Sequence, residues 1–386
     1  MTFRISSLVL CVFLVMEFLG VPASGDEKQP QAENRFAGFP EIGKYRPGER
    51  SREVINSDVI QNVLRPKWTR AMDDLGGWVN LFRMKENIIF AYPHVDGHRG
   101  KRFEATGETR CPAIRYLSTD EGKTWVRLPR AEEIPTEVVV VGDTAYGFNM
   151  PGHIQTTVQT SSDGIHWSEQ KKVYKPPFWL YGVMYDETSK HFWVAAHAIP
   201  KVIKGTRQIH LLKSPDAFDW QYVSTVHYGQ RESESTLRFE EDRTMTVLIR
   251  KKQATGCMCW VAVGKPPYKQ WDVTERPVIA EGEHFFEIGG KTFVGSRALY
   301  QGDDPRVKDA PFLFNRGRRA FSIIYRWTHD RQLKPWAVMD SMGDCSYPML
   351  VETPTEILCG YYSQHEDKVC KPYLCAFDKA AFLGDR

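Results

Sequence analysis

The residues of this sequence whose types and spacing could do chemistry together lie in its second half. Arg250 and Arg297 each close an apolar, strand-like run, and Tyr347 precedes another. The intervals between them are 47 residues (297 − 250) and 50 residues (347 − 297). Glu234 lies 16 residues before Arg250 and could begin a neighbouring strand. Paired arginines can hold a carboxylate by bidentate hydrogen bonds, and a tyrosine beside a glutamate base can act as a nucleophile.

Each of these side chains also has an ordinary structural explanation when it is taken alone. An arginine commonly makes a salt bridge, and a tyrosine commonly fills a core position. The shared interval favours a common site, because a repeating fold brings residues about 50 positions apart to equivalent places. The elements that carry these residues must then repeat with the same period.

A short motif does repeat with nearly that period in the part of the chain before Arg297. The copies are 118–125 (STDEGKTW), 161–167 (SSDGIHW), 214–220 (SPDAFDW) and a degenerate 264–271 (GKPPYKQW). Their tryptophans are 42, 53 and 51 residues apart (167 − 125, 220 − 167 and 271 − 220). Ser and Asp suit a tight hairpin turn, where they accept backbone N–H bonds, and Trp can pack between neighbouring sheets. A period of about 40 to 50 residues built from short strands is typical of β-propeller blades.

We therefore predict an all-β fold, a six-bladed β-propeller, because about 330 residues at about 45 to 55 per blade make roughly six blades. The runs 137–141 and 191–196 have the composition of buried strands. The sequence has no long amphipathic helical pattern. Its 29 Gly and 23 Pro favour many short strands and turns.

The N-terminus has the pattern of a targeting segment. Arg4 precedes the apolar run 8–16, and small residues follow at a position suited to cleavage. We expect residues 1–25 to be a signal peptide, 26–52 a flexible leader and 53–386 the propeller. Nine apolar residues cannot span a bilayer core of about 30 Å. The mature protein is therefore expected to be secreted or periplasmic, without a membrane span.

Composition limits the partners and cofactors. Lys+Arg 51 against Asp+Glu 48 leaves a net charge of +3 with no charge block, so a nucleic-acid partner is not expected. Seven cysteines follow the predicted signal peptide, and we interpret most as small buried apolar residues, with one or two disulfides left open. Cys257 and Cys259 are too close together for a zinc knuckle. No metal or organic cofactor is expected.

The repeated motif resembles the Asp box of the sialidase (neuraminidase) superfamily of six-bladed propellers. Over 232–366 the sequence is most similar to the bacterial sialidase-like, BNR-repeat proteins. The matching segments are 234–239 (ESTLRF), 266–268 (PPY), 295–297 (GSR), 343–348 (GDCSYP) and 361–366 (YYSQHE). The Asp box also occurs in propellers that are not enzymes, and the ordered Glu, Arg, Arg, Tyr series is the more specific part of the resemblance.

The resemblance implies an exo-α-sialidase-type hydrolase that retains anomeric configuration and acts on acidic glycans. Tyr347 would be the nucleophile and Glu234 its base. Arg250 and Arg297 would be two of the three arginines that hold the sialic acid carboxylate. A tyrosine suits this role, because an anionic nucleophile would be repelled by the carboxylate that the anomeric centre already carries.

The first third of the chain departs from the family pattern. The place of the first arginine is held by Gly77 or Trp78, and the place of the general-acid Asp falls near 111–112. Replacement acids would be Asp96 and Glu108. Replacement cations would be Arg83, Arg99 and Arg110. His94 and His98 lie in a polar loop at the predicted rim and are candidates for substrate binding.

These departures leave two alternatives open. The protein could hydrolyse a different glycan, or it could be a non-catalytic propeller that binds glycans. For all three possibilities we expect a monomer whose partner is a glycan, one that bears an acidic sugar in the sialidase-like case.

Overall fold

The structure, a computed structural model, describes most of the chain after residue 62. The described residues are 63–96, 112–131, 134–149, 155–174, 178–198, 207–229, 232–251, 259–276, 278, 280–299, 320–341, 343–366 and 369–385. The predicted signal peptide and leader lie outside these residues. So do the candidate site residues His98, Arg99, Glu108 and Arg110.

Twenty-five strands and one short helix make up the secondary structure of these residues. In chain order they are β1 (Trp68–Ala71), β2 (Asn80–Met84), β3 (Asn87–Pro93), β4 (Ala113–Ser118), β5 (Val126–Arg127), β6 (Glu137–Val141), β7 (Thr144–Asn149), β8 (Thr157–Ser161), β9 (Lys171–Lys172), β10 (Phe178–Trp179), β11 (Met184–Asp186), β12 (His191–Ala198), β13 (Arg207–Ser214), β14 (Gln221–Gly229), β15 (Glu232–Phe239), β16 (Met245–Lys251), β17 (Cys259–Gly264), β18 (Asp272–Arg276), β19 (Glu281–Ile288), β20 (Lys291–Leu299), β21 (Ala320–Trp327), β22 (Leu333–Val338), β23 (Ser346–Glu352), β24 (Glu356–Ser363), β25 (Lys371–Asp378) and α1 (Lys379–Leu383). The prediction of an all-β chain is confirmed, including strands at 137–141 and 191–196.

The strands form six antiparallel sheets, which are the blades of a six-bladed propeller. Blade 1 is β2–β5, blade 2 is β6–β9, blade 3 is β10–β14, blade 4 is β15–β18, blade 5 is β19–β22, and blade 6 is β23–β25 with β1. The inner strands of successive blades, which are the first strands except in blade 3, where β11 takes this place, contact one another around a closed ring. These inner strands therefore line the central axis, and the predicted six-bladed propeller is confirmed.

The N-terminal strand closes the ring. β1 pairs with β25 from Trp68 opposite Ala376 to Ala71 opposite Tyr373, so the outermost strand of blade 6 comes from the other end of the chain. Leu64 bridges to Ala337 of blade 5 just before this strand. The pairing of β1 with β25 joins an early strand of the chain to the last strand. It therefore stabilises the ring against opening between the blades.

The repeated turns lie between the third and fourth strands of their blades. In blade 1 the Oγ of Ser118 accepts the N–H of Gly122 at 2.8 Å, and in blade 2 the Oγ of Ser161 accepts the N–H of Gly164 at 2.8 Å. The hairpin position predicted for these segments is thus confirmed.

The tryptophan of each repeat packs against the preceding blade. Trp220 of blade 3 meets Phe148 of blade 2 edge to face, with ring centroids 6.3 Å apart. Trp271 of blade 4 donates from Nε1 to the Oγ of Ser224 in blade 3 at 3.1 Å. The apolar core is accordingly divided among the blade interfaces.

Five cysteines of the described residues are buried free thiols: Cys259, Cys345, Cys359, Cys370 and Cys375. Within the described part of the chain, no helix is long and apolar enough to cross a membrane.

Candidate active site

The inner strands of blades 4, 5 and 6 share one irregularity near their starts. Register shifts mark a β-bulge between Glu232 and Ser235 in β15, between Glu281 and His284 in β19, and between Ser346 and Met349 in β23. The bulged pairs are Ser233-Glu234, Gly282-Glu283 and Tyr347-Pro348. A bulge turns side chains away from the regular alternation of a strand and is common next to active sites. Here the bulges of three consecutive blades carry Glu234, Glu283 and Tyr347.

Tyr347 and Glu234 meet directly. The Oη of Tyr347 donates a hydrogen bond of 2.9 Å to Oε1 of Glu234, which links blade 6 to blade 4. Both residues are buried, with 8% and 7% of their surface exposed. Tyr347 also has a φ of 54°, in the left-handed region that residues other than Gly rarely adopt. Such strain occurs at functional sites, where the surrounding structure holds it in place.

The surroundings of this pair set its protonation state. Burial alone would raise the pKa of Glu234, but the guanidinium of Arg250, followed by His197, holds it well below its usual range. Burial and the charge of Glu234 raise the pKa of Tyr347 well above its usual value. The resting pair is therefore a neutral phenol donating to a carboxylate. The carboxylate can accept the phenolic proton when the oxygen attacks.

Arg250 and Arg297 converge on one carboxylate, Glu281, which is fully buried. Nη2 of Arg250 lies 3.0 Å from Oε1 of Glu281. Nε and Nη2 of Arg297 donate to Oε2 at 3.0 and 2.5 Å. Arg250 also donates to Glu234 through Nη1. Glu281 thus fixes two guanidinium groups from two blades beside the Tyr347–Glu234 pair.

Arg297 also connects this network to blade 6. Its Nη1 donates to the carbonyl oxygen of Cys345 at 3.2 Å and lies 3.7 Å from Oδ1 of Asp344. Asp344 accepts in turn from the Oη of Tyr362 at 3.1 Å. The segment that leads into Tyr347 is therefore held by an arginine of the neighbouring blade.

Aromatic side chains surround the Tyr347 ring. Tyr362 stacks on it with centroids 6.1 Å apart, and Tyr181 lies at 6.3 Å. Tyr181 is hydrogen bonded through Oη to Nδ1 of His284 at 3.1 Å. Trp78, one of the two residues that the sequence comparison aligns with the first arginine of the sialidase pattern, packs against the cluster that contains these three tyrosines. The side chains around the Tyr347 ring that this cluster contains are aromatic or apolar.

Arg83, a candidate for the third cation, is hydrogen bonded to other groups of the protein. Its guanidinium donates to Glu121 at 3.1 and 2.5 Å and to the carbonyl oxygen of Glu352 at 2.9 Å. Glu352 ends β23, whereas Tyr347 lies near the start of the same strand. Arg83 therefore joins blade 1 to blade 6 at the end of β23 that lies opposite to Tyr347.

The polar loop of the first blade is described only in part. Oδ1 of Asp96 accepts the backbone N–H of Cys370 at 2.9 Å. The backbone N–H of His94 donates to the carbonyl oxygen of Pro112, also at 2.9 Å, and His94 is partly exposed. No hydrogen bond among the described residues joins either of them to Tyr347 or Glu234. Of the eight candidate residues, the structure brings together Glu234, Arg250, Arg297 and Tyr347.

Equal spacing in sequence did not mean equivalent positions for the two arginines. Arg297 pairs across the sheet with Glu281, and the equivalent pair in blade 4 is Glu232 with Lys251. Arg250 is thus one residue out of register with Arg297. The two side chains are nevertheless linked, because Glu281 of blade 5 binds both Arg297 of its own blade and Arg250 of blade 4.

Sequence reasoning missed Glu281 and Glu283, although a signal was present. Glu232-Ser233-Glu234 and Glu281-Gly282-Glu283 repeat the pattern Glu-x-Glu at an interval of 49 residues (281 − 232). That interval is the blade period, so the second pattern marks the same bulge in the next blade. In the described part of the chain, no cluster of three His, Cys, Asp or Glu side chains could hold a metal ion.

Comparison with known proteins adds evidence on the fold. No protein-family model and no curated protein sequence matches the chain. Among solved structures, a Trypanosoma rangeli sialidase aligns over 83% of this chain and 59% of its own, with a TM-score of 0.52 and 12% identity. The same sialidase in complex with 2,3-difluorosialic acid, described as a covalent intermediate, aligns over 83% and 58% with a TM-score of 0.51 and 11% identity. A Penicillium chrysogenum α-L-arabinanase complexed with arabinobiose aligns over 80% and 94%, with a TM-score of 0.50 and 8% identity.

These similarities place the chain among propeller folds that glycoside hydrolases use. The chain spans about three fifths of the length of the sialidase structures that it matches. At identities this low, the likeness is one of fold alone. Any statement about activity must therefore rest on the side chains at the centre of the ring.

Proposed function

We propose that this protein is a retaining glycosidase of the exo-α-sialidase type, with Tyr347 as nucleophile and Glu234 as its base. The observation that supports this most is the 2.9 Å hydrogen bond from the Tyr347 phenol to the Glu234 carboxylate. A tyrosine that donates to an ionised, buried glutamate has its base already in place. The lowered pKa of Glu234 and the raised pKa of Tyr347 fit these two roles.

In the first step, Tyr347 Oη forms a bond to the anomeric carbon while the glycosidic C–O bond breaks. The phenolic proton passes to Glu234, and the electron pair of the broken bond leaves with the aglycone oxygen. Water then attacks the anomeric carbon and gives up a proton, which neutralises the aglycone anion or restores the group that protonated it. The tyrosyl C–O bond breaks, and Tyr347 takes its proton back from Glu234. Two displacements restore the original configuration. A poor leaving group needs a proton donor, for which Asp96 and Glu108 of the polar loop are the candidates.

Arg250 and Arg297 supply positive charge beside the nucleophile, which suits a sugar that bears a carboxylate. The Nε–H of Arg250 is buried and has no hydrogen-bond partner among the described residues. A neutral tyrosine also suits such a sugar, because it avoids repulsion between two anions at the reacting carbon. The substrate class of the proposal is therefore an acidic glycan. Export of the protein, based on residues 1–25, is part of the same proposal.

One observation favours an alternative function. Gly77 or Trp78 holds the place of the first arginine in the sialidase pattern, and Trp78 packs against the tyrosine cluster. Arg250 and Arg297 already bind the protein's own carboxylates. A sugar ring could stack on an aromatic surface without presenting a carboxylate. The second candidate is accordingly hydrolysis of a different glycan, or binding of a glycan without turnover.

Release of 4-methylumbelliferone from its sialic acid glycoside tests the proposal, because this leaving group departs as a stabilised anion and does not need the general acid. Wild-type protein should turn the substrate over. Tyr347→Phe should lose about 10³-fold or more in kcat, as expected when a nucleophile is removed. Tyr268→Phe is a matched control, since Tyr268 is also buried, has a φ of 60° and donates one hydrogen bond, to the carbonyl of Arg243 at 2.9 Å.

The outcomes separate the candidates. Equal turnover by wild type and Tyr347→Phe removes Tyr347 from the mechanism. No turnover by folded wild-type protein rejects the sialoside as substrate and favours the second candidate. Loss of activity in both tyrosine variants would show that the effect comes from the fold and not from the nucleophile.

A further inference from the structure

Glu283 is a buried carboxyl group that the proposed reaction does not use. It occupies the bulge position in β19 that Glu234 occupies in β15, 49 residues earlier (283 − 234). Its exposed fraction is 0%, and neither carboxyl oxygen has a hydrogen-bond partner among the described residues. A buried, ionised carboxylate without a partner is strongly unfavourable. The group is therefore expected to keep its proton in the folded protein.

Arg250 provides the second observation. Two nitrogens of its guanidinium bind Glu234 and Glu281, but its Nε–H is buried and unused. Its positive charge acts on Glu283, since it lowers the pKa of that carboxyl. A buried donor and a buried acceptor thus lie within electrostatic reach of each other, between blades 4 and 5, and neither is paired.

The surroundings of Glu283 favour its neutral form. Burial has the largest effect and the charge of Glu234 the next; both raise the pKa of Glu283, which ends well above its usual range. The residue's own backbone N–H and then Arg250 lower the pKa of Glu283, and Glu281 raises it. The charged groups that act on Glu283 are Glu234, Arg250 and Glu281, and Glu283 in turn acts on Tyr181 and Cys259. Next to it on β19, His284 lies 3.8 Å from Glu137 of blade 2.

We propose that Glu283 is a proton-holding residue that positions Arg250: as a neutral acid it leaves Arg250 on Glu234 and Glu281, and as a carboxylate it draws Arg250 away. The ionised group would offer the unused Nε–H of Arg250 a charged acceptor. Glu234 would then lose the cation that keeps it ionised, and the substrate would lose a binding group. The catalytic part of this inference rests on the proposed function, and the structural part does not.

The proton on Glu283 has a consequence for stability that does not require turnover. In the unfolded chain a glutamate ionises near pH 4.3, whereas in the folded protein Glu283 stays protonated to a higher pH. Above about pH 4.3 the folded state therefore binds more protons than the unfolded state. The contribution of the Glu283 proton to the free energy of unfolding is complete below this pH. It is lost as the pH rises towards the folded-state pKa of Glu283. Glutamine cannot ionise, so Glu283→Gln removes this loss.

The test is thermal unfolding of wild type, Glu283→Gln and Glu287→Gln between pH 5 and pH 9. Buried carboxyl groups with a raised pKa titrate in about this range. Glu287 is the matched control, because it is an exposed glutamate on the same strand. The melting temperature of Glu283→Gln minus that of wild type should rise steadily with pH, and the Glu287→Gln difference should not. A Glu283→Gln difference that is independent of pH would overturn the inference.

Two further readouts complete the experiment. Infrared spectra of the wild-type protein at neutral pH should show the carbonyl band of a protonated carboxylic acid, and its absence would overturn the inference even if Glu283→Gln fails to fold. In the 4-methylumbelliferyl assay, the alkaline limb of the pH–rate profile should move to higher pH by about one unit or more in Glu283→Gln. An unchanged alkaline limb would reject the positioning of Arg250. Absence of all turnover, with the unfolding pattern intact, would reject the proposed function and leave the protonated Glu283 supported.

Discussion

Tyr347 of blade 6 donates a hydrogen bond of 2.9 Å to Glu234 of blade 4, with the inner strand of blade 5 between them. The two residues are 113 positions apart in sequence (347 − 234) and both lie in bulges of inner strands. The bulge between them, in blade 5, carries Gly282 and Glu283 and begins at Glu281. The same β-bulge in three consecutive blades thus contributes residues to one site.

Replacing Glu234 by Gln should lower kcat by about 10²- to 10⁴-fold, because an amide cannot take the phenolic proton. The measurement is steady-state release of 4-methylumbelliferone from the sialoside. Glu240→Gln serves as control, since Glu240 belongs to the same blade but pairs with Arg331 at 2.8 Å. A Glu234→Gln variant with wild-type kcat would contradict the role of Glu234 as base.

The stability of the protein should also depend on Glu234 at acid pH. Its pKa is lowered in the folded state, chiefly because Arg250 outweighs the effect of burial. The unfolded state therefore binds more protons as pH falls through the ordinary glutamate range near 4.3. The stabilisation is present above that range and is lost below it, opposite in sign to the effect of Glu283.

Urea unfolding at neutral pH and near pH 4, about where glutamate begins to protonate in an unfolded chain, checks this sign. The free energy of unfolding of wild type minus that of Glu234→Gln should shrink at the lower pH. If the difference grew instead, Glu234 would have to be protonated in the folded protein, and it could not serve as the base.

Glu281→Gln should raise KM more than it lowers kcat. Glu281 holds both arginines, and hydrogen bonds to charged groups contribute about 1.5 to 3 kcal/mol each, so loss of one implies roughly a tenfold or larger change. Glu281→Ala should in addition destabilise the fold by about 3 to 5 kcal/mol, because it leaves buried guanidinium groups without their partner. Kinetics with the sialoside and chemical denaturation measure the two effects. An unchanged KM in Glu281→Gln would show that the arginines do not bind substrate.

Gly282→Ala should impair activity by displacing the nucleophile. Gly282 has a φ of 60°, and a Cβ at this position would lie 2.5 Å from Cε1 of Tyr347. Gly290→Ala is the control: its φ is 70°, but its Cβ would meet nothing within 4 Å. Both variants should lose about 1 to 2 kcal/mol to backbone strain, and Gly282→Ala alone should lose most of its kcat. Equal activity of the two variants would contradict the close packing of Tyr347 on this glycine.

The propeller could be predicted because its signals are local and repeated. Alternating strands, turn residues and a tryptophan recur with the blade period, and a fold with that period has few alternatives. Glu234, Arg250, Arg297 and Tyr347 could be predicted to lie near one another because their spacing is close to that period, although Arg250 is one residue out of register with Arg297. Their pairing could not, because which nitrogen meets which oxygen depends on bulges and on a one-residue offset that spacing does not show.

The first blade marks the limit of such prediction. Arg83 is close in sequence to the place of the missing arginine, but strand geometry sends its side chain to Glu121. Successive residues of a strand point to opposite faces, so nearness in sequence is a poor guide to function there. The position of Glu283 could have been found from the repeated Glu-x-Glu pattern, but its lack of a hydrogen-bond partner is visible only when its neighbours are known.

The most direct test of the account is to trap the sugar on the protein. Wild-type protein and Tyr347→Phe are incubated with 2,3-difluorosialic acid, the ligand of the trypanosomal sialidase complex described above. Intact mass and peptide mapping then locate any adduct. The account predicts one fluorosialyl group on the peptide that contains Tyr347 in the wild type, and none in Tyr347→Phe. An adduct on any other residue, or an adduct that persists in Tyr347→Phe, would contradict it.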